Sequence, residues 1–221
     1  MGMTRLAVLA LVALALAGGA AAATVPTPKQ VARVVLTPAQ VGKGYLLLIR
    51  KDSTGTTTPT LNLCGTKGYP SEKLRVTRIQ VDYGKQGSTF ALSNEVVSYK
   101  AGGTAQAMRE VTQHALHCPK GLVDSGQVGI PKLHFRFTVL HDVKLLKGAL
   151  VLRIRSTGIY KGKHVDQTSY AVYQTYRGIL SGVYSSGPNT KAQLAFVLHA
   201  AEQSARNLKR GAPATPKGPT A

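Results

Sequence analysis

Hydrophobic and polar positions alternate along several stretches of this chain, and a period of two is the pattern of β-strands. The stretch Leu74–Tyr83 places Ile79, Val81 and Tyr83 on one side and Arg78 on the other. Short connections rich in Gly and Lys separate the later stretches, which favours antiparallel neighbours. The predicted strands are Tyr45–Arg50, Thr60–Cys64, Leu74–Tyr83, Ser88–Tyr99, Leu133–His141, Ala149–Ser156, His164–Tyr176 and Ile179–Ser185.

Two longer stretches repeat with the period of an α-helix instead. One runs from Thr104 to about His117, with Cys118 at the end of its apolar stripe, and the other follows Pro188. The apolar stripe of the second helix is formed by Leu194, Val197, Leu198, Ala201, Ala205 and Leu208.

Two short helices are predicted before the first strand. Thr27 and Thr37 each precede a proline and have glutamine three residues later, at Gln30 and Gln40. This spacing lets the threonine accept from the backbone while the glutamine side chain reaches back to the cap.

The order strands, helix, strands, helix predicts an α+β fold, a twisted antiparallel β-sheet with the two main helices packed on one face. The opposite face would then be open and more polar. We expect a single domain over residues 24–210 and a disordered basic tail over 211–221, where Pro, Gly and Ala dominate.

The N-terminal segment 1–23 has the layout of a secretory signal peptide. Arg5 precedes the apolar run Leu6–Leu16, and small residues follow at Ala20–Ala23. The run is shorter than the roughly 20 apolar residues that a transmembrane helix needs. Gly19 occupies the position of a lipobox cysteine, so we expect a secreted, extracellular protein that is not lipid-anchored.

The chain has two cysteines, Cys64 and Cys118. In an oxidising compartment an even count favours a disulfide, and here only one pairing exists. A bridge closing so long a loop would stabilise the fold by roughly 4 kcal/mol in the chain-entropy model. Two buried free thiols are the alternative.

Charge defines the class of partner. The net charge is +19, from 28 Lys and Arg against nine Asp and Glu, and such a field attracts polyanions. Outside a cell these are anionic envelope polymers, small polar ligands and the surface of anionic membranes, rather than nucleic acid. Dispersed charge that serves only solubility is the alternative interpretation.

Catalytic signatures are absent from the sequence. It has no G-x-S-x-G elbow, H-E-x-x-H motif, P-loop or dinucleotide fingerprint. Glu95 interrupts a mostly apolar strand, and a carboxylate paired with a nearby arginine at the surface or the sheet edge is the favoured interpretation. His114 and His117 beside Cys118 have metal-ligand spacing, but no further ligand is evident. We expect no metal and no cofactor.

Basic residues inside strands are the better indication of a site. Arg136, Arg153 and Arg155 lie within predicted strands, and tyrosines including Tyr173 cluster in the C-terminal half. Guanidinium forks with phenol groups suit carboxylate, phosphate or sugar recognition. We therefore predict a ligand site formed by Arg136, Arg153, Arg155 and Tyr173 on the uncovered sheet face. A solvated face with paired arginines is the alternative.

The order of local motifs resembles a known family. The segments LTPAQVGKGY, LCG, SEKLRVTRIQVDY, LSNEVVSYKAGGTAQAMREV and HCP, spread over Leu36–Leu208, are similar to secreted actinobacterial proteins related to the PknH-like extracellular sensor domain. The resemblance implies one α+β domain with a ligand cleft. The kinase sensor domains carry two disulfides and an attached kinase, and this chain departs from both.

These observations favour a secreted, non-catalytic binding or sensor-like module with a polar cleft for an anionic or polyhydroxylated envelope ligand. One alternative is an envelope-acting hydrolase that uses Glu95 or a histidine for acid–base chemistry. A structural or protein-interaction domain at the cell surface is the other, and an exposed hydrophobic patch would favour it.

Overall fold

The computed structural model describes residues 24–55, 63, 68–118, 133–141, 143–160, 162–187 and 190–213. The segment assigned as a signal peptide, Cys64, most of the predicted strand Thr60–Cys64 and most of the C-terminal tail lie outside these residues. The domain boundaries and the Cys64–Cys118 bridge therefore stay predictions.

The described chain forms four helices and one seven-stranded sheet, as predicted for an α+β fold. The helices are α1 (Pro28–Val34), α2 (Pro38–Val41), α3 (Gly103–Leu116) and α4 (Lys191–Gly211), and a short 3-10 helix spans Pro70–Leu74. The strands are β1 (Leu46–Thr54), β2 (Arg75–Gly84), β3 (Ala91–Tyr99), β4 (His134–Val139), β5 (Leu150–Tyr160), β6 (Lys163–Tyr176) and β7 (Ile179–Gly187).

The sheet is antiparallel throughout, in the order β1-β2-β3-β7-β6-β5-β4. Each half of the chain builds a meander, and β3 and β7 join the two halves at the centre. Within each half, successive strands pair with their sequence neighbours. The tightest connections, β5 to β6 and β6 to β7, are two residues long.

The helix caps follow the sequence signals. The Thr27 amide donates to Oε1 of Gln30 at 2.8 Å, and the Thr37 amide donates to Oε1 of Gln40 at 3.0 Å. The start of α3 differs, because Gly102, in the left-handed region at φ 79°, is its N-cap. Thr104, where the sequence predicts that this helix begins, lies within its first turn.

The prediction that both long helices pack on one face is wrong. Side chains of adjacent strand residues point to opposite faces of a sheet, and on β6 Val172 belongs to one hydrophobic core while Ala171 belongs to the other. Helix α4 contributes Val197 to the core of Val172, and α3 contributes Val111 to the core of Ala171. The two helices therefore cover opposite faces, so neither face of the central sheet is open.

The first strand presents an unusual edge. Within the described residues β1 pairs only with β2, and Leu46, Leu47, Leu48 and Ile49 are all exposed, by 43–65%. The sequence predicts this strand from its apolar run, and the structure shows that the run packs little against the domain.

Candidate functional site

Three of the four predicted ligand residues lie together at one end of the sheet. Arg136 of β4 is directly opposite Arg155 of β5, and Arg153 lies two residues along β5, on the same face. All three are exposed. We call Arg136, Arg153 and Arg155 the arginine face.

The arginine face belongs to the side of the sheet that carries α4, not to an open opposite side. Arg153 is opposite Tyr170, which packs in the same core as Val197 of α4. Arg155 is opposite Thr168, whose carbonyl accepts from Nε2 of Gln193 on α4 at 3.3 Å. The arginines are exposed because they lie beyond the part of the sheet that α4 covers.

Charge on the arginine face is only partly balanced. Arg155 forms a two-fold ion pair with Asp166 of β6, with nitrogen–oxygen distances of 2.8 and 2.5 Å. The pair raises the pKa of Arg155 and lowers that of Asp166 through their hydrogen bonds. Arg136 and Arg153 have no hydrogen-bond or ion-pair partner in the described part of the chain.

Tyr173 does not join the arginines. It is 2% exposed and belongs to the core beneath α3, on the opposite face from Arg153. Tyr173 follows Val172 directly on β6, so the two side chains point to opposite faces of the sheet. The predicted grouping of Tyr173 with the arginines is therefore wrong, and the face on which Tyr173 lies is covered by α3 rather than open.

Tyr173 instead borders a buried polar cluster around Glu95, on the α3 side of the sheet. Glu95 accepts a hydrogen bond from Nε of Arg78 on β2, and Oε2 of Glu95 lies 3.4 Å from the Tyr184 hydroxyl of β7. Tyr184 packs edge-on against Tyr173, with ring centroids 5.6 Å apart. Arg78 also donates from Nη2 to Oε1 of Gln80 at 2.6 Å.

Burial controls the protonation of this cluster. Loss of hydration raises the pKa of Glu95 to about 7, against the opposing influence of the Arg78 charge. The same loss raises the pKa of both Tyr173 and Tyr184. The sequence correctly indicates an arginine partner for Glu95, but the carboxylate lies in a central strand and is 4% exposed, whereas a surface or edge position was expected.

No group of three His, Cys, Asp or Glu residues that could hold a metal ion occurs within the described ranges. His114, one of the histidines with metal-ligand spacing, packs edge-on against Tyr69 at 4.6 Å between ring centroids. None of the helices placed by the structure has the length and apolarity needed to cross a membrane.

The architecture is similar to a solved structure. The crystal structure of the extracellular domain of PknH from Mycobacterium tuberculosis superposes with a TM-score of 0.58 at 11% sequence identity, covering 85% of this chain and 99% of that domain. No protein-family model and no curated protein matches the chain. The sequence resemblance is thus supported at the level of the fold, and the chain has a PknH-like sensor-domain fold.

Proposed function

We propose that this chain is a secreted, non-catalytic binding module, related in role to extracellular sensor domains, that holds an anionic ligand of the cell envelope on the arginine face. The observation that carries the proposal is the pairing of Arg136 directly opposite Arg155, with Arg153 beside them. The similarity to the PknH extracellular domain supports a sensor-like role outside the cell.

The arrangement of the arginines is costly for the fold on its own. Like charges directly opposite each other on an antiparallel pair destabilise the sheet. Asp166 pairs with Arg155, but two guanidinium groups stay without a carboxylate in the described chain. An anionic ligand would relieve this repulsion. Ligand binding therefore explains an arrangement of arginines that the stability of the fold does not explain.

The spacing of the charges fits a polymer. Neighbouring strands are about 4.8 Å apart and alternate residues of one strand about 6.6 Å apart, so the arginine face presents several cations within the span of a few backbone units of a phosphodiester or uronic acid polymer. Guanidinium groups bind phosphate and carboxylate through two parallel hydrogen bonds. The net charge of +19 would bring such a polymer to the protein from a distance.

The test compares two triple variants of equal net charge. One carries Arg136→Ala, Arg153→Ala and Arg155→Ala, and the matched control carries Lys43→Ala, Lys51→Ala and Lys209→Ala, which are exposed lysines away from the arginine face. Retention on immobilised polyphosphate and on a purified envelope fraction should be lost in the first variant and kept in the second, and circular dichroism should show both folded.

Two results would contradict the proposal. Equal loss in both triple variants would show that net charge alone drives retention. Absence of retention by the unmodified protein at low salt, where electrostatic binding is strongest, would remove the anionic ligand altogether.

A protein-interaction role is the second candidate, and one observation favours it. The edge strand β1 exposes four consecutive aliphatic side chains, from Leu46 to Ile49, and an exposed apolar edge is a template for an added strand. Replacing Leu46 and Leu48 by lysine should then abolish concentration-dependent association in light scattering. A monomer at all concentrations, alone and with an envelope protein extract, would count against this role.

A further inference from the structure

A second basic site lies away from the arginine face, where α1, α2 and α4 meet. A cavity of about 270 Å³ opens there, lined by Arg33, Val35, Thr37, Gln40, Asn207, Arg210 and Gly211. Two of its seven lining residues are arginines, and none is acidic. We call it the three-helix cavity.

The floor of the three-helix cavity is held by Asn207, which is 7% exposed. Its Nδ2 donates to the carbonyls of Val34 and Val35 at 3.2 and 3.4 Å, and its Oδ1 accepts from Nε2 of Gln40 at 2.9 Å. One side chain thus connects α4 to the ends of α1 and α2. The cavity is a fixed feature of the packing between these helices.

Gly211 lets the two helices approach closely at this point. A Cβ at position 211 would lie 2.9 Å from Cγ2 of Val34 and 3.5 Å from Cβ of Arg33. Contact at that distance is too short for carbon atoms, so a larger residue would separate α4 from α1. The glycine therefore keeps Arg33 and Arg210 at the same cavity.

The two guanidinium groups are poorly compensated. Arg33 is exposed and has no hydrogen-bond or ion-pair partner among the described residues. Arg210 makes two long contacts of 3.4 Å, to Oδ1 of Asn207 and to the carbonyl of Arg206. Neither arginine forms a salt bridge within the described ranges.

Among the described residues that line the cavity, the opposing charge comes from helix ends. The C-terminal ends of α1 and α4 meet at the cavity, and each carries a partial charge equivalent to about −0.5 at most. Asn207 already satisfies carbonyls at the end of α1. Two full positive charges therefore exceed the opposing partial charges, and the cavity keeps a net positive potential.

We propose that the three-helix cavity binds a phosphate monoester through Arg33 and Arg210. A phosphoryl group offers several oxygens to planar guanidinium forks, which bind it better than lysine does. The volume accommodates a phosphoryl group with a small organic substituent. The site is independent of the arginine face and of the polymer proposed there.

The test uses glycerol 3-phosphate in solution and vesicles of phosphatidylcholine with and without phosphatidic acid, since either source presents the same headgroup chemistry. Calorimetric titration at low salt should show saturable binding to at least one of them. Arg33→Ala and Arg210→Ala should each weaken it by about tenfold or more, as expected for a lost charge-assisted contact. The affinity of Arg33→Lys should lie between those of the unmodified protein and Arg33→Ala, because lysine keeps the positive charge but lacks the planar guanidinium fork.

The matched control is Lys209→Ala, an exposed cation next to Arg210 that does not line the cavity, and it should bind like the unmodified protein. The triple variant of the arginine face should also bind normally, which separates this site from the polymer site. Binding to glycerol 3-phosphate identifies a soluble ester, and binding only to vesicles with phosphatidic acid identifies a lipid headgroup. Absence of binding to both, or binding that survives both alanine substitutions, would overturn the proposal.

Discussion

Arg78 donates a buried hydrogen bond from Nε to Oε1 of Glu95, across the pairing of β2 with β3. Arg78 is 8% exposed and Glu95 is 4% exposed. A buried ion pair of this kind contributes little net stability, because desolvation offsets the attraction, but removal of one partner leaves an uncompensated charge. The protonation of Glu95 decides how large that penalty is.

The first prediction follows from this dependence. At pH 8 Glu95 is ionised in the unmodified protein, and the loss of the Arg78 charge raises the pKa of Glu95 further, so the variant must either bury an unpaired carboxylate or take up a proton on folding. Arg78→Met should therefore lower the free energy of unfolding by about 2–3 kcal/mol at pH 8. At pH 5 the carboxyl is protonated in either protein, and the loss should shrink to about 1 kcal/mol, the contribution of a hydrogen bond. Denaturant unfolding at the two pH values measures both.

Arg109→Met is the matched control, because Arg109 is exposed on α3 and has no partner among the residues the structure describes. It should change the free energy of unfolding by less than about 0.5 kcal/mol at either pH. A cost of Arg78→Met that is the same at pH 5 and pH 8 would show that Glu95 does not change its charge in this range.

The second prediction concerns the pH dependence of stability itself. Burial raises the pKa of Glu95 from its ordinary value of 4.5 to about 7 in the folded protein, so between these pH values the folded state holds a proton that the unfolded state has lost. The free energy of unfolding must then fall as the pH rises from about 4.5 to about 7, and level off above that.

Glu95→Gln isolates this contribution from the histidines, which titrate in the same range. The stability of the unmodified protein relative to Glu95→Gln should decrease with pH by an amount on the order of 3 kcal/mol across that window. An increase with pH would mean that Arg78 outweighs burial and holds the pKa of Glu95 below its usual value.

The elements of this fold could be predicted from the sequence more completely than their arrangement. Alternation marks β2 and β5 because each has one mainly apolar side, and the caps at Thr27 and Thr37 are local features. Which face of the sheet each long helix covers depends on contacts between residues that are distant in the sequence. Even so, the central strands place apolar residues at adjacent positions, Val96 and Val97 on β3 for example, and this pattern indicates burial on both sides.

The candidate site could be predicted only in part, for a related reason. Arg136, Arg153 and Arg155 share a face because they fall in phase on two strands paired by a hairpin-like connection. The position of Tyr173 depends on the register of a longer strand, and one step in phase moves a side chain to the other face. The spacing of apolar residues does not predict the three-helix cavity, because the floor of the cavity is a polar residue, Asn207, on the buried side of α4.

The third prediction tests the contact between Gly182 and Tyr184. A Cβ at position 182 would lie 2.3 Å from the Tyr184 hydroxyl oxygen and 2.7 Å from Cζ. Gly182→Ala must therefore displace a partly buried ring that packs against Tyr173 and approaches Glu95. We expect a loss of about 1–3 kcal/mol in the free energy of unfolding, typical of overpacking, and a changed near-ultraviolet circular dichroism spectrum.

A double-mutant cycle shows whether the ring is the cause. In a Tyr184→Ala background the clash is removed, so Gly182→Ala should cost much less than it does in the unmodified protein. Additive effects of the two substitutions would show that the backbone of β7, rather than the phenol ring, requires glycine at this position.

The last prediction concerns the joint between the N-terminal helices and α4. Asn207→Ala removes the donors to the carbonyls of Val34 and Val35 and the acceptor for Gln40, and buried groups left unsatisfied cost about 1–3 kcal/mol. Asn207→Asp should be at least as damaging, because it places a negative charge against those carbonyls, and it should also abolish phosphate ester binding. Glu202→Ala, at an exposed position of the same helix, is the control and should leave the melting temperature within about 2 °C. If Asn207→Ala unfolds at the same temperature as this control, the connection between α4 and the N-terminal helices is not made by Asn207, and the three-helix cavity loses its fixed floor.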